Sequence, residues 1–183
     1  MKPTEEDEKI LDWLNSNATR MCNRYPDSSF LCQKNIFWQV MKFCANVDQE
    51  NYNFIPQTWL LGDSQELEKF QEYKDAHPED VFIAKPYIGS QGDNVYLFQQ
   101  LSDLPYSISE KQVVAQRYIK RPLLKNDYKF DSSIYIVVTG FNPIQAYICD
   151  EGLAKFCTVP YEAPERSNFK KAFMHLTNHI INM

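Results

Sequence analysis

No two cysteines in this sequence are spaced for metal binding or dithiol chemistry. Cys22, Cys32, Cys44, Cys149 and Cys157 form no C-x-x-C pair, and none stand at zinc-ligand intervals. An odd count without a secretory leader reads as reduced, mostly buried thiols. Long apolar runs are missing too, and nothing approaches the ~20 residues a membrane span needs. The acidic start, MKPTEEDEKILDWLNSN, is unlike a signal or transit peptide. These absences predict a soluble, cytoplasmic chain that works away from membranes. There are five glycines, and they compose neither a Walker P-loop nor G-x-G-x-x-G. Without G-x-S-x-G or a cysteine in a nucleophile setting, serine-hydrolase and cysteine-protease chemistry is excluded. Excess positive charge is also lacking: the formal net charge is −5, which disfavours nucleic-acid partners.

What is present is a chain of 183 residues, 44% hydrophobic, long enough for one compact domain or two small lobes. Thr4 before Glu5, Glu6 and Asp7 predicts a helix start. Apolar spacing predicts a helix with one buried stripe over Phe30 to Phe43. Asp63 with Glu66 three residues on predicts a capped helix over Gln65 to Ala76, with Leu67, Phe70 and Tyr73 inward. Strand patterns follow at Val81 to Lys85, Val95 to Phe98, Gln112 to Ile119, Ser132 to Gly140, Gln145 to Cys149 and Leu153 to Thr158. Turns are expected at FNPI and DEG. Helices first and a mainly antiparallel sheet afterwards predict an α+β fold, with a helical lobe and extended linker over 1–80.

Several residues invite chemistry. Lys85 ends an apolar strand beside a turn holding Gly89, Gln91, Gly92 and Asn94. It is either a solvated strand end or a point charge beneath phosphates cradled by the turn. The strand ending in QRYI (Gln116, Arg117, Tyr118, Ile119) either finishes in polar residues or offers an edge to adenine. Arg117, Lys120, Arg121, Lys125 and Lys129 make a basic cluster in an acidic chain, a solvated face or an anion site. Lys129 and Asp131 share a strand face, as an ion pair or as a grip on phosphate and ribose or metal. Thr177, Asn178 and His179 place a hydroxyl, an amide and an imidazole in one turn.

In this order, the stretches NRYPDSSFLCQKN, YNFIPQTWLL, IAKPYIGSQGDNVYLF, QRYIKRPLLKNDYKFD, IYIVVTGFNPIQAYICDEGLAKFCTVPY and MHLTNHIIN resemble the tubulin tyrosine ligase-like family of ATP-grasp ligases. SQG and KFCT look nearer to its glutamate-adding members. The resemblance implies ATP and Mg²⁺ as cofactors and tubulin tails and free glutamate as partners. It also implies an acyl-phosphate route to an amide, and a place on the cytoskeleton, the cilium or basal body included. By position, Lys85 would contact phosphates, with Gln91 and Gly92 in the loop above. Gln116 to Ile119 would be the adenine hinge, and Lys129, Asp131, Thr177 and Asn178 would complete the nucleotide site. Lys155 and His179 would bind the amino acid. Residues 81–119 would then form a nucleotide-loop and hinge lobe, and 120–183 the start of a carboxyl-terminal lobe. Asn94, Ser133 and Lys155 stand where the family carries glycine, arginine and arginine. The family's metal ligands lie beyond HLTN, so the sequence as far as Met183 is expected to be an incomplete ATP-grasp fold. The alternative is a non-catalytic ATP- or tubulin-binding module.

Overall fold

The computed structural model describes residues 5–17, 28–89, 92–105 and 112–177. It divides into two compact units, Met1–Ile55 and Pro56–Met183. In the second unit, the segment around Trp59 and the helix that follows it pack into the sheet core.

The first unit holds α1 (Glu5–Asn15), a 3₁₀ turn over Ser28–Cys32, α2 (Lys34–Val47) and α3 (Gln49–Tyr52). The helix expected from Phe30 begins later, because the 3₁₀ turn takes the first residues. Its stripe is thinly buried: Met41 is inside, whereas Phe37, Val40 and Phe43 stay exposed. Asp48 starts α3 by accepting the Asn51 amide at 3.2 Å. Thr4 lies outside the described residues.

The second unit begins with β1 (Thr58–Leu60) and α4 (Ser64–Ala76). Asp63 caps α4 by accepting from the amides of Gln65 and Glu66 at 2.9 and 3.0 Å. Next come β2 (Phe82–Pro86), β3 (Tyr96–Phe98) and β4 (Val113–Arg117), which join β1 in an antiparallel sheet of order β1-β4-β2-β3. Residues directly opposite each other share a face. The register pairs Trp59 with Ala115 and Ala115 with Ala84, and Phe82 with Phe98, so one face carries these side chains. That face meets Phe70 of α4 in the aromatic core, with ring centroids 4.9 Å apart for Phe70 and Phe82 and 5.3 Å for Trp59 and Phe70. The other face carries Thr58, Ile83, Lys85, Leu97, Val114 and Gln116, and this is the face that positions the candidate site.

Beyond β4, β5 (Leu124–Lys125) turns tightly into β6 (Tyr128–Phe141). Asn126 and Asp127 have φ of 52° and 66°, the left-handed pair that a two-residue hairpin requires. β7 (Ile144–Phe156) returns along β6. The expected turn at DEG is absent, and the chain continues as strand through it. Ile134 pairs with Gly152 and Ile136 with Ile148, so three residues of β7 face one of β6, an irregularity that absorbs the polar segment. Gly152 is required there, since a Cβ would stand 2.6 Å from the Ser133 carbonyl oxygen. A short α5 (Ala172–His175) closes the described chain.

Candidate functional site

On the face of the four-stranded sheet opposite α4, Lys85 Nζ donates to Gln116 Oε1 at 2.9 Å. Gln116 in turn donates from Nε2 to Thr58 Oγ1 at 2.9 Å, and Thr58 donates to the Pro56 carbonyl at 2.8 Å. Three strands are thus tied side chain to side chain, and each bond follows from the register. The turn above Lys85 has left-handed residues at Gly92 (φ 80°) and Asn94 (φ 56°). Asparagine adopts that conformation more readily than most residues, so it substitutes for glycine in this turn. Gln91, Asn178 and His179 lie outside the described residues.

One residue past the end of β4, on the face that carries Ile83 and Leu97, Tyr118 receives the second lysine. Lys129 Nζ donates to the Tyr118 hydroxyl at 3.0 Å and to the His175 carbonyl at 2.7 Å, lying 4.7 Å from the ring centre. Two residues of extended chain span about 7 Å, so the two ammonium groups are bound by side chains two residues apart at the end of β4. Burial pulls Lys129 below the ordinary lysine value, while Cys157 and Asp131 pull the other way. Burial also pushes the Tyr118 hydroxyl up, so it remains a neutral donor.

Asp131 faces Lys155 across the β6–β7 ladder. Its Oδ2 accepts from Thr177 Oγ1 at 2.7 Å. Its Oδ1 lies 3.3 Å from Lys155 Nζ, within ion-pair range but without hydrogen-bond alignment. The structure therefore brings Lys155, Asp131 and Thr177 together. The basic cluster is dispersed by comparison. Arg117 Nε and Lys120 Nζ both bind the buried Asp80, at 3.0 and 3.1 Å, and the Tyr73 hydroxyl donates to the same carboxylate at 3.1 Å. Arg117's side chain points to the α4 face, away from Lys85, and its amide is bonded to the Gln57 carbonyl at 2.8 Å. Ile119, next but one, is exposed and makes no backbone hydrogen bond among the described residues. A separate cavity of about 660 Å³ lies beside β3 and is lined by Val95, Leu97, Phe169 and Leu176, with Arg166 and Lys170. Neither Lys85, Gln116 nor Lys129 lines it.

The model of the tubulin-tyrosine ligase family matches residues 13–183. The chain belongs to that family. Among its relatives, the tubulin polyglutamylase TTLL11 of Homo sapiens is 36% identical over 167 residues, covering 88% of this chain and 24% of the relative. The tubulin polyglutamylase ttll6 of Danio rerio is 34% identical, covering 87% and 20%. TTLL7 of Homo sapiens is 32% identical, covering 100% and 22%. The chain thus spans about a quarter or less of these relatives. Among solved structures, the C-terminal domain of K. lactis Pby1, described as an ATP-grasp enzyme interacting with the mRNA decapping enzyme Dcp2, aligns with a TM-score of 0.60. It is 18% identical, covering 94% of this chain and 52% of that one, and the likeness establishes the ATP-grasp fold.

In this member of the tubulin-tyrosine ligase family, the polar groups brought together suit a nucleotide. They offer two ammonium groups, an Ile119 backbone with no backbone hydrogen bond among the described residues, and a carboxylate oxygen, Asp131 Oδ1, without a hydrogen-bond donor. They do not suit a metal: among the described residues no group of three histidine, cysteine or acidic side chains could hold one. Residues that the sequence did not single out are Thr58, Asp80, Asn168 and His175. The partners that tie Thr58 and Asp80 to the site lie 58 and 40 residues away.

Proposed function

We propose that this chain carries the nucleotide-binding part of an ATP-dependent ligase that adds glutamate to glutamates of tubulin tails. The observation that supports this most is that Lys85 and Lys129 are bound by Gln116 of β4 and by Tyr118 just past its end. In an acidic protein, two part-buried cations bound two residues apart make a local anion site.

In this reading Lys85 and Lys129 hold the phosphates of ATP. The Gly92–Asn94 turn, with Gln91, lies over them, and the Ile119 backbone takes the adenine edge. Asp131, Thr177 and Asn178 complete the nucleotide site, while Lys155 and His179 face the amino acid. A carboxylate oxygen attacks the terminal phosphorus and ADP leaves, giving an acyl phosphate. The amine nitrogen then attacks the acyl carbon, phosphate leaves, and one proton passes to solvent. The part of the cations is to gather three anionic reactants and hold them aligned. Microtubules, with their acidic tails, are the protein partner, and the cytoskeleton, the cilium included, is the place of action.

A second reading rests on Ser133. It sits two residues beyond Asp131 on the same face of β6, opposite Leu153, and supplies no charge there. A module that binds ATP or tubulin without turnover would need none. Calorimetric titration with ATP and transfer of labelled glutamate to microtubules separate the two. ATP binding that weakens about tenfold or more in Lys85→Ala, with transfer by the full-length protein, supports the ligase. Binding without transfer by that protein supports the module. Absence of ATP binding overturns the ligase, and absence of microtubule pelleting as well overturns the module.

A further inference from the structure

Behind Lys129 a chain of buried polar groups runs on from Tyr118 through His175 and Asn168, two residues that neither reading uses. Tyr118 is 6% exposed, and His175 and Asn168 are each 1% exposed. The Tyr118 hydroxyl lies 3.1 Å from His175 Nδ1, and His175 Nε2 lies 3.1 Å from Asn168 Oδ1. Asn168 donates from Nδ2 to the Ala163 carbonyl at 2.9 Å and accepts the Glu165 amide at 3.0 Å.

The proton directions follow from Asn168. Its two backbone bonds orient the amide so that Oδ1 faces His175 Nε2, which must carry the ring proton and donate to it. In the neutral ring Nδ1 is then an acceptor, which takes the Tyr118 proton, while the Tyr118 oxygen accepts from Lys129. The rings of Tyr118 and Tyr161 stand edge-on to the imidazole at 5.8 and 5.9 Å, so it cannot swing. His175 also supplies the carbonyl that takes a second proton of Lys129.

We propose that His175 is a positioning residue for Lys129, acting through the Tyr118 hydroxyl and its own carbonyl. Asn168 fixes the imidazole in the Nε2–H form. The segment from Ala163 to His175 thereby sets where the second phosphate-holding ammonium points. This rests on the nucleotide reading of Lys129.

The test uses the whole chain and three variants. Gln in place of His175 keeps a donor toward Asn168 but offers Tyr118 no acceptor at the Nδ1 position. Asn keeps an acceptor there. His175→Gln is expected to weaken ATP binding roughly 3- to 10-fold, the worth of one net hydrogen bond. His175→Asn should restore binding to within about 2-fold of the parent. In a Tyr118→Phe background, His175→Gln should add less than about 2-fold, because the route through the hydroxyl is already cut. Ring ¹⁵N shifts of His175 in the parent should show the neutral Nε2–H form. Equal ATP affinity in the Gln and Asn variants overturns the positioning role while leaving the nucleotide site standing. An Nδ1–H ring overturns it whatever the affinity. A parent chain that binds no ATP overturns the nucleotide site, and the positioning role with it.

Discussion

Replacing Asp80 by Asn tests how the hinge between the sheets is held. Asp80 is 4% exposed and stands just before β2, where it gathers Arg117, Lys120 and the Tyr73 hydroxyl. These two cations flank Tyr118 and Ile119, so one carboxylate anchors both ends of the hinge. The amide keeps the shape but loses the charge. Arg117 and Lys120 are 53% and 35% exposed along their side chains, so both can turn to water rather than remain buried and unpaired. Each ion pair is therefore worth up to ~1 kcal/mol and the Tyr73 hydrogen bond about 1 kcal/mol. The expected loss is ~1.5–3 kcal/mol, read as a lower urea midpoint at neutral pH with an unchanged slope. Burial disfavours ionisation of Asp80, yet the Lys120 hydrogen bond and the charges of Arg117 and Lys120 outweigh it. The carboxyl is held below its ordinary value of 3.8. Its contribution is therefore complete above 3.8 and disappears as pH falls through the lower folded value. The gap between parent and variant should close in that acid window. A midpoint within ~0.3 kcal/mol of the parent at neutral pH, or a gap that persists in acid, would refute the anchoring.

Phe70→Ala empties the centre of the aromatic core and should cost ~3–5 kcal/mol in urea denaturation. Gly152→Ala should disrupt the β6–β7 ribbon, because backbone rather than a flexible side chain blocks the new methyl. Amide exchange of β6 should accelerate, with β2 and β4 spared. Burial first, and then the Lys129 charge, bring His175 down to about 4 from 6.5. The unfolded chain thus binds this proton before the folded one, and stability should fall progressively as pH drops from 6.5 to about 4. Denaturation midpoints across that range should show a shallower fall in His175→Gln.

The local pattern of residues determined the elements that depend on near neighbours. Asp63 capping α4, Phe70 facing the core, the antiparallel strands about the Gly92 turn and the left-handed Asn94 all rest on short-range sterics and periodicity. The ordered motifs also carried the family, since their offsets along the chain are themselves a sequence property. Other features depended on partners distant in sequence. DEG has the composition of a turn, yet pairing with Ile134 to Ile136 carries β7 through it. The basic cluster looked like one patch, but strand alternation sends Arg117 to Asp80 and Lys129 to Tyr118, on different elements. His175 stood within MHLTN, next to residues chosen for their chemistry. Only packing against Tyr118, 57 residues earlier, turned it into a buried, directed hydrogen-bond partner. Spacing along a chain sets which way a side chain points, but what it meets there is decided by which strands lie alongside.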